Sequence, residues 1–322
     1  MPNLVTHTLF TEDVLKTLNN PLLNSRRKLV ITGGQGPDFL FFHNATPSKL
    51  MIPSPIRKYG TLFHHEEVNA FYASALDSIR HEKNRKIRDD MIAYTCGHLC
   101  HWASDSTVHP LIYARTGNCT GRSAWRHHRY ESLLDAALLQ YYKKMTIKDY
   151  DPSVECLSAD LPTARAIARI YGPAIETVYG DKVRPALFVD TLQDWKHMEK
   201  VFRDPTNIKK KLLMPAEKVL HLENLVTGFS IPNVCEDNVD ICNLLHNEWR
   251  NPCTGEIHTE SVFDLLEEAL QKAVTAITLF LQAVQNPAKE TEFLDFLDDR
   301  NYDEGLPGNP DPVFFDETDL SF

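Results

Sequence analysis

His101-x3-Asp105-x3-His109 is followed, eighteen residues after His109, by His127-x3-Glu131, so five residues of zinc-binding types lie within about thirty positions. His101 and Asp105 are one helical turn apart, as are His127 and Glu131, and on a helix each pair projects its side chains the same way. Two helices bearing such pairs can hold a multi-metal centre between them. Imidazole and carboxylate suit zinc, and close-set zinc ions acidify a bound water and neutralise phosphoryl charge. The pattern marks a candidate metallohydrolase.

Singly, these residues carry little. A His-x3-Asp pair on a helix is usually a surface pair, and Arg126, His128 and Arg129 around His127 could form a solvated basic face. The weight lies in their accumulation, and there are further candidates upstream. His7 begins the first helical stretch. Asp38 closes Gly33-Gly34-Gln35-Gly36-Pro37-Asp38, whose glycines and proline hold a fixed path. His64 and His65 precede a helix, and the residues alone do not choose between them. The glycine run lacks the Lys-Ser/Thr of a phosphate loop and the strand–helix setting of a dinucleotide turn. Cys96-x3-Cys100 shares the helix of the candidate metal segment, but two core thiols are the commoner outcome.

The elements that must position these residues are helical. Apolar residues recur at helical spacing with no internal repeat and no strand–helix alternation, which predicts an all-α protein. Helices are expected over 7–18, 66–81, 86–108, 123–144, 163–179, 192–202 and 261–284, the last opening on a Ser261-x-x-Asp264 cap. Pro110 disfavours helical geometry at His109, so the third should stop just before it. Residues 26–45 read as loop around the glycines, and 203–258 give no clear pattern. From about 287 the chain turns acidic and should be extended through Gly305-Leu-Pro-Gly-Asn-Pro-Asp-Pro. These readings give a metal-binding core over 1–150 and a helical extension over 151–322, with the break near Asp149–Pro152.

A net charge of −10 and a pI near 5.8 argue against a nucleic-acid surface. The N-terminal residues show neither a basic n-region nor a long apolar run, and no stretch reaches eighteen apolar residues, so no signal peptide or transmembrane helix is expected. The seven cysteines are odd in number and scattered, which reads as reduced thiols in a cytoplasmic protein.

In this order, His7, Asp38, His64, His101-x3-Asp105, His109 and His127-x3-Glu131 resemble the zinc-dependent phospholipase C family, whose all-helical fold is shared with the fungal zinc-dependent single-strand nucleases. His101-Trp-Ala-Ser-Asp105 looks like the family's HYxxD, and His127-His-Arg-Tyr-Glu131 looks like its HxKYE. The resemblance covers about residues 5–135 and is more specific for fold and metal site than for substrate. It implies two or three zinc ions. One would be held by Asp38, His64, His101 and Asp105, and a second by His109, His127 and Glu131. A third would use His7, with Asp105 bridging. His64 is preferred to His65 on its spacing to Phe71, and His43, His98 and His128 are left as non-ligands. The secreted members also give a processed N-terminal tryptophan to the third metal, and no Trp lies near the start here. The interval from Asp105 to His109 is shorter than in those enzymes.

The resemblance further implies a phosphodiester hydrolase in which a metal-bridged hydroxide attacks the phosphorus of a phospholipid or related headgroup, with Asp38 as ligand and as the group orienting that water. A nuclease or small-molecule phosphodiesterase with the same site, or a protein whose metals are structural, are the other readings. The second half is expected to cover the site.

Overall fold

The computed structural model describes residues 4–221, 226–233 and 239–317, and these are mostly helical. Helices α1 (Leu4–Leu18), α2 (Pro21–Ser25) and α3 (Arg27–Gly33) lead through a glycine turn to a short 3-10 turn at Asp38–Phe42. Next come α4 (Lys58–His65), α5 (Val68–His81), α6 (Arg85–Thr116) and α7 (Arg122–Lys143). The second half holds α8 (Pro152–Glu155), α9 (Leu161–Tyr179), α10 (Pro185–Phe202) and α11 (Ile208–Val219). A two-residue antiparallel pair, β1 (Trp249–Arg250) and β2 (Ile257–His258), precedes α12 (Val262–Gln285) and α13 (Glu290–Leu297).

The axis of the fold is α6. Asn84 starts it by accepting from the amide of Ile87, and from Asp90 to Ala114 every residue is buried. A helix buried on all sides must be surrounded by others, and α3, α9, α1, α7 and α12 pack around it. On α12, Ala269, Ala273, Ala276 and Ala283 lie on the buried face, and these small side chains let the two helices run close together. The Ser261–Asp264 capping box opens α12 as its sequence predicts.

Pro110 does not end α6. The helix continues through it to Thr116, and the reason lies in its neighbours. A proline inside a helix costs about 3 kcal/mol through a lost hydrogen bond and a steric clash, and this one deprives the Ser106 carbonyl of its helical donor. That carbonyl faces Gly305, where a Cβ would come within 2.0 Å of it. The many buried contacts of α6 override the local preference. Its continuation puts His101, Asp105 and His109 on one stripe, each a turn from the next, which answers the short Asp105–His109 interval.

Three further expectations change. Residues 27–33 form helix α3 rather than loop, and α4 had no counterpart in the periodicity. Residues 287–297 are helical rather than extended: Asn286 caps a short turn, and Phe293 and Leu297, one turn apart, bury completely against α12 and α5. Beyond Leu297 the chain is irregular but anchored. Asp299 accepts from the amide of Asn69 (2.8 Å), Arg300 accepts from Trp102 Nε1 (2.8 Å), and Tyr302 donates its amide to the His64 carbonyl (2.9 Å). Asp316 donates to the Ala114 carbonyl (2.7 Å), and residues 318–322 lie outside the described residues. One connected set of buried apolar side chains runs from Leu4 to Tyr302.

Where α12 meets α6, Lys272 is carried inward. Its Nζ donates to Ser106 Oγ at 2.7 Å and sits 4.6 Å from the centre of the Trp102 ring. Burial, with Arg300 adding repulsion, pushes the ammonium down to about 7. The unfolded chain holds that proton to about pH 10.4, so above pH 7 it binds more protons than the folded chain and stability rises with pH. Lys272→Met keeps the stem and removes the ammonium. Melting curves from about pH 7 to about pH 9 are expected to show that upward slope in the wild type and a flatter one in the variant.

Candidate metal centre

Five segments deliver the chemistry-bearing side chains to one buried place. His7 lies on the first turns of α1, whose start is fixed by Asp135 of α7. Its Oδ2 accepts from the Val5 amide (3.0 Å), and its Oδ1 accepts from the Thr6 amide (2.7 Å) and hydroxyl (2.6 Å). A carboxylate there satisfies amides that a helix start leaves without partners. Asp38 follows the glycine turn, in which Gly36 has φ +53° and lies so close to the His101 ring that a Cβ would fall 2.0 Å from it. His64 ends α4, α6 supplies His101, Asp105 and His109, and α7 supplies His127 and Glu131.

All eight of these side chains are buried, none more than 5 % exposed. Their ligand-type atoms form three groups: His7, His101 and Asp105; Asp38, His64 and His101; and His109, His127 and Glu131. Within them His7 Nε2 is 3.2 Å from Asp105 Oδ1, and His101 Nε2 is 3.0 Å from Asp105 Oδ2. His64 Nε2 is 3.1 Å from Asp38 Oδ1, and Glu131 Oε1 is 3.0 Å from His127 Nε2 and 3.5 Å from His109 Nε2. Asp105 is the hub, since its Oδ1 also lies 3.9 Å from His109 Nε2. His7, Asp105, His109 and Glu131 line a small cavity of about 20 Å³.

These residues fit zinc. Bonds of about 2.0–2.1 Å in a tetrahedron place neighbouring ligand atoms ~3.3 Å apart, close to the separations above. The Nε2 atoms of His7, His101 and His109, Oδ1 of Asp38, Oδ2 of Asp105 and both oxygens of Glu131 are buried without a hydrogen-bond partner. So many orphaned polar atoms pointing at one another would be costly in a site that bound nothing. The opposite ring nitrogens are held from behind: His7 Nδ1 by Ser104 Oγ (3.0 Å), His64 Nδ1 by the Gly60 carbonyl (2.6 Å) and His127 Nδ1 by Thr116 Oγ1 (3.3 Å). Such outer contacts fix ring orientation and leave Nε2 for a metal.

The buried carboxylates and imidazoles set one another's charge. Burial opposes ionisation of Asp105, but His101, His109 and His7 outweigh it and hold the carboxyl well below the usual range. Glu131 is held down in the same way, chiefly by His127. Burial lowers His101 and His127; it opposes the charge on His109 and His64 as well, but Asp105 with Asp303 and Glu131 outweighs it at His109, and Asp38 outweighs it at His64, so both of these are raised.

His65 turns away from the groups. Its Nε2 meets Asp303 Oδ2 at 3.2 Å, and its side chain is 35 % exposed. His98 lies one turn before His101 among tyrosines, with Nδ1 2.8 Å from Tyr72 Oη and Nε2 2.8 Å from Tyr171 Oη. His43 reaches Ser54 Oγ instead. Cys96 and Cys100 are buried thiols outside the three groups, and Cys235 lies outside the described residues.

The sequence reading missed Asp303. From the chain's far end its Oδ1 lies 3.2 Å from His109 Nδ1 while Oδ2 meets His65. Burial opposes its ionisation, but His109 and its neighbours hold the carboxyl well below the usual range. No periodic pattern singles it out among the acids that follow Pro287. Asp303 also borders a cleft of about 490 Å³ whose walls include Phe41, His64, Tyr113, His128, Glu304 and Asp311.

No helix among the described residues is long and apolar enough to cross a membrane. No curated protein and no solved structure matches the chain. The profile of the family described as zinc dependent phospholipase C does match, over residues 6–175, more than half of the chain and beyond the segment that carries the local motifs. The chain belongs to the zinc dependent phospholipase C family.

Proposed function

We propose that the protein is a zinc-dependent phosphodiester hydrolase whose metal ligands are His7, Asp38, His64, His101, Asp105, His109, His127 and Glu131. The observation that carries this reading is the set of orphaned, buried nitrogen and oxygen atoms converging in three groups around Asp105. Zinc bound there supplies an acidified water and neutralises charge on the phosphoryl oxygens. Asp105 would be shared between groups: it sits with His7 and His101, and its Oδ1 also lies 3.9 Å from His109 Nε2. Asp38, whose Oδ1 lies 3.1 Å from His64 Nε2, would serve as a ligand and orient the attacking water. Water adds to phosphorus, and the bond to the departing alkoxide breaks. In this reading residues 1–150 carry the centre, and residues 151–322 cover it and add Asp303.

The substrate that suits the cleft is a phospholipid or related headgroup. Asp303, Glu304 and Asp311 make one wall acidic, which repels a polynucleotide backbone and favours a positive group beside the phosphodiester. Zinc-loaded protein should hydrolyse p-nitrophenylphosphocholine faster than p-nitrophenyl phosphate or single-stranded DNA. Chelation should abolish the activity and zinc restore it. Inactivity of the zinc-loaded chain on every diester would overturn the reading, and preference for DNA would move it to the nuclease.

A further inference from the structure

Helix α11 faces the wrong way for a helix that serves only the core. Its one buried residue is charged: Glu217 accepts from the amides of Val226 (2.7 Å) and Thr227 (3.0 Å) and from the Thr227 hydroxyl (2.5 Å). Polar contacts therefore seat the helix. Among its apolar residues, Ile208, Leu212, Pro215 and Val219 share the spacing of one helical stripe, and all four are exposed. Ile208 is 57 % exposed, Leu212 72 % and Val219 78 %, and Leu213 and Leu220 beside them are also exposed. Isolated exposed apolar residues are ordinary on a protein surface, but a contiguous stripe marks something that covers it.

Charge identifies the cover. Between Pro205 and His221 the only acidic residue is Glu217, turned inward, while Lys209, Lys211 and Lys218 are exposed around the stripe. This basic patch stands on a chain of net charge −10. Lysines flanking an exposed apolar stripe, on a helix too short to span a bilayer, match the interfacial helix of a peripheral protein: the apolar side chains enter the headgroup boundary and the ammonium groups snorkel to lipid phosphates. The helix also connects to the centre. The segment that Glu217 holds continues to Phe229, whose ring stacks on Phe202 (4.9 Å) and on His128 (4.4 Å), and His128 lines the cleft beside the metal groups.

We propose that α11 docks the protein on an anionic phospholipid surface through Ile208, Leu212 and Val219, with Lys211 and Lys218 pairing to lipid phosphates. This goes beyond the hydrolytic reading, because docking is a binding event that needs no turnover. The test is co-sedimentation of the full chain on ice with vesicles of phosphatidylcholine containing phosphatidylserine, against phosphatidylcholine alone. Three proteins are compared: wild type, the Leu212→Asp/Val219→Asp double variant and the Lys211→Glu/Lys218→Glu double variant. The wild type should bind the anionic vesicles and release from them in high salt, and each double variant should bind about tenfold or more weakly, as about 1 kcal/mol per lysine near the surface implies. All three should melt alike and hydrolyse soluble p-nitrophenylphosphocholine equally, a control that reports on the hydrolytic reading separately. Equal vesicle binding by the three proteins, or none by the wild type, overturns the proposal. So does a wild-type dimer that the Leu212→Asp/Val219→Asp change dissolves without any effect on vesicle binding, which would assign the stripe to a second copy of the chain.

Discussion

Asp105→Asn is expected to empty most of the metal centre and cut phosphodiester hydrolysis by at least about 10³-fold, roughly 4 kcal/mol of transition-state stabilisation. Asparagine keeps the size and shape of the side chain, so α6 should remain folded. What it loses is the negative charge shared by His7, His101 and His109, which lie 3.2, 3.0 and 3.9 Å from the two carboxylate oxygens. A neutral amide is a poor zinc ligand and offers an NH₂ group to one neighbour where it should offer an oxygen. Elemental analysis of protein purified without chelator would check this. The wild type should carry two or three zinc ions per chain and the variant one or none. A variant with the full complement would remove Asp105 from the ligand set.

The second large effect is placed far from the motifs. Asp303→Asn should lower the affinity of the His109, His127 and Glu131 group for zinc by about 10–100-fold while leaving the other two groups nearly unchanged, the usual consequence of losing a carboxylate behind a ligating imidazole. His109 would lose the anion that faces Nδ1 at 3.2 Å, and with it the preference for presenting Nε2 to the metal. Titration with a competing chelator should then release one equivalent of zinc well before the rest, where the wild type releases it late. Coincident titrations would limit Asp303 to a wall of the cleft.

Much of the centre was legible in the sequence, for a physical reason. His101 and Asp105, and His127 and Glu131, sit one turn apart on single helices, so spacing alone places them on a common face. The structure adds His109 to the first stripe by carrying α6 through Pro110, against the local rule for the residue before a proline. The rule expresses a preference of a few kcal/mol, and a helix buried from Asp90 to Ala114 exceeds it through its surroundings. The residues alone did not choose between His64 and His65, because adjacent residues share the same local signals, and the spacing to Phe71 favoured His64 only through the family resemblance. The structure separates the two: His64 is 5 % exposed and faces Asp38, while His65 faces Asp303. Helices α3 and α4 were missed because each is short, α3 running into the glycines at 33 and 34 and α4 holding Gly60, and α13 because its acidic residues hide two buried apolar positions. Asp303 was out of reach altogether, since it meets His109 across nearly two hundred residues of chain.

That separation affects how the protein is made. The side chains of the centre come from positions 7, 38, 64, 101–109 and 127–131, and the carboxylate behind His109 comes from position 303. Contacts closed over so long a loop form late, after the chain between them has collapsed. On a ribosome most of the ligands would emerge well before their last support, so a nascent chain would hold its metal loosely until synthesis had passed residue 303. Support for the His109 group then arrives only once residue 303 has been made, and chains stopped or clipped before α13 would bind zinc at that group more weakly.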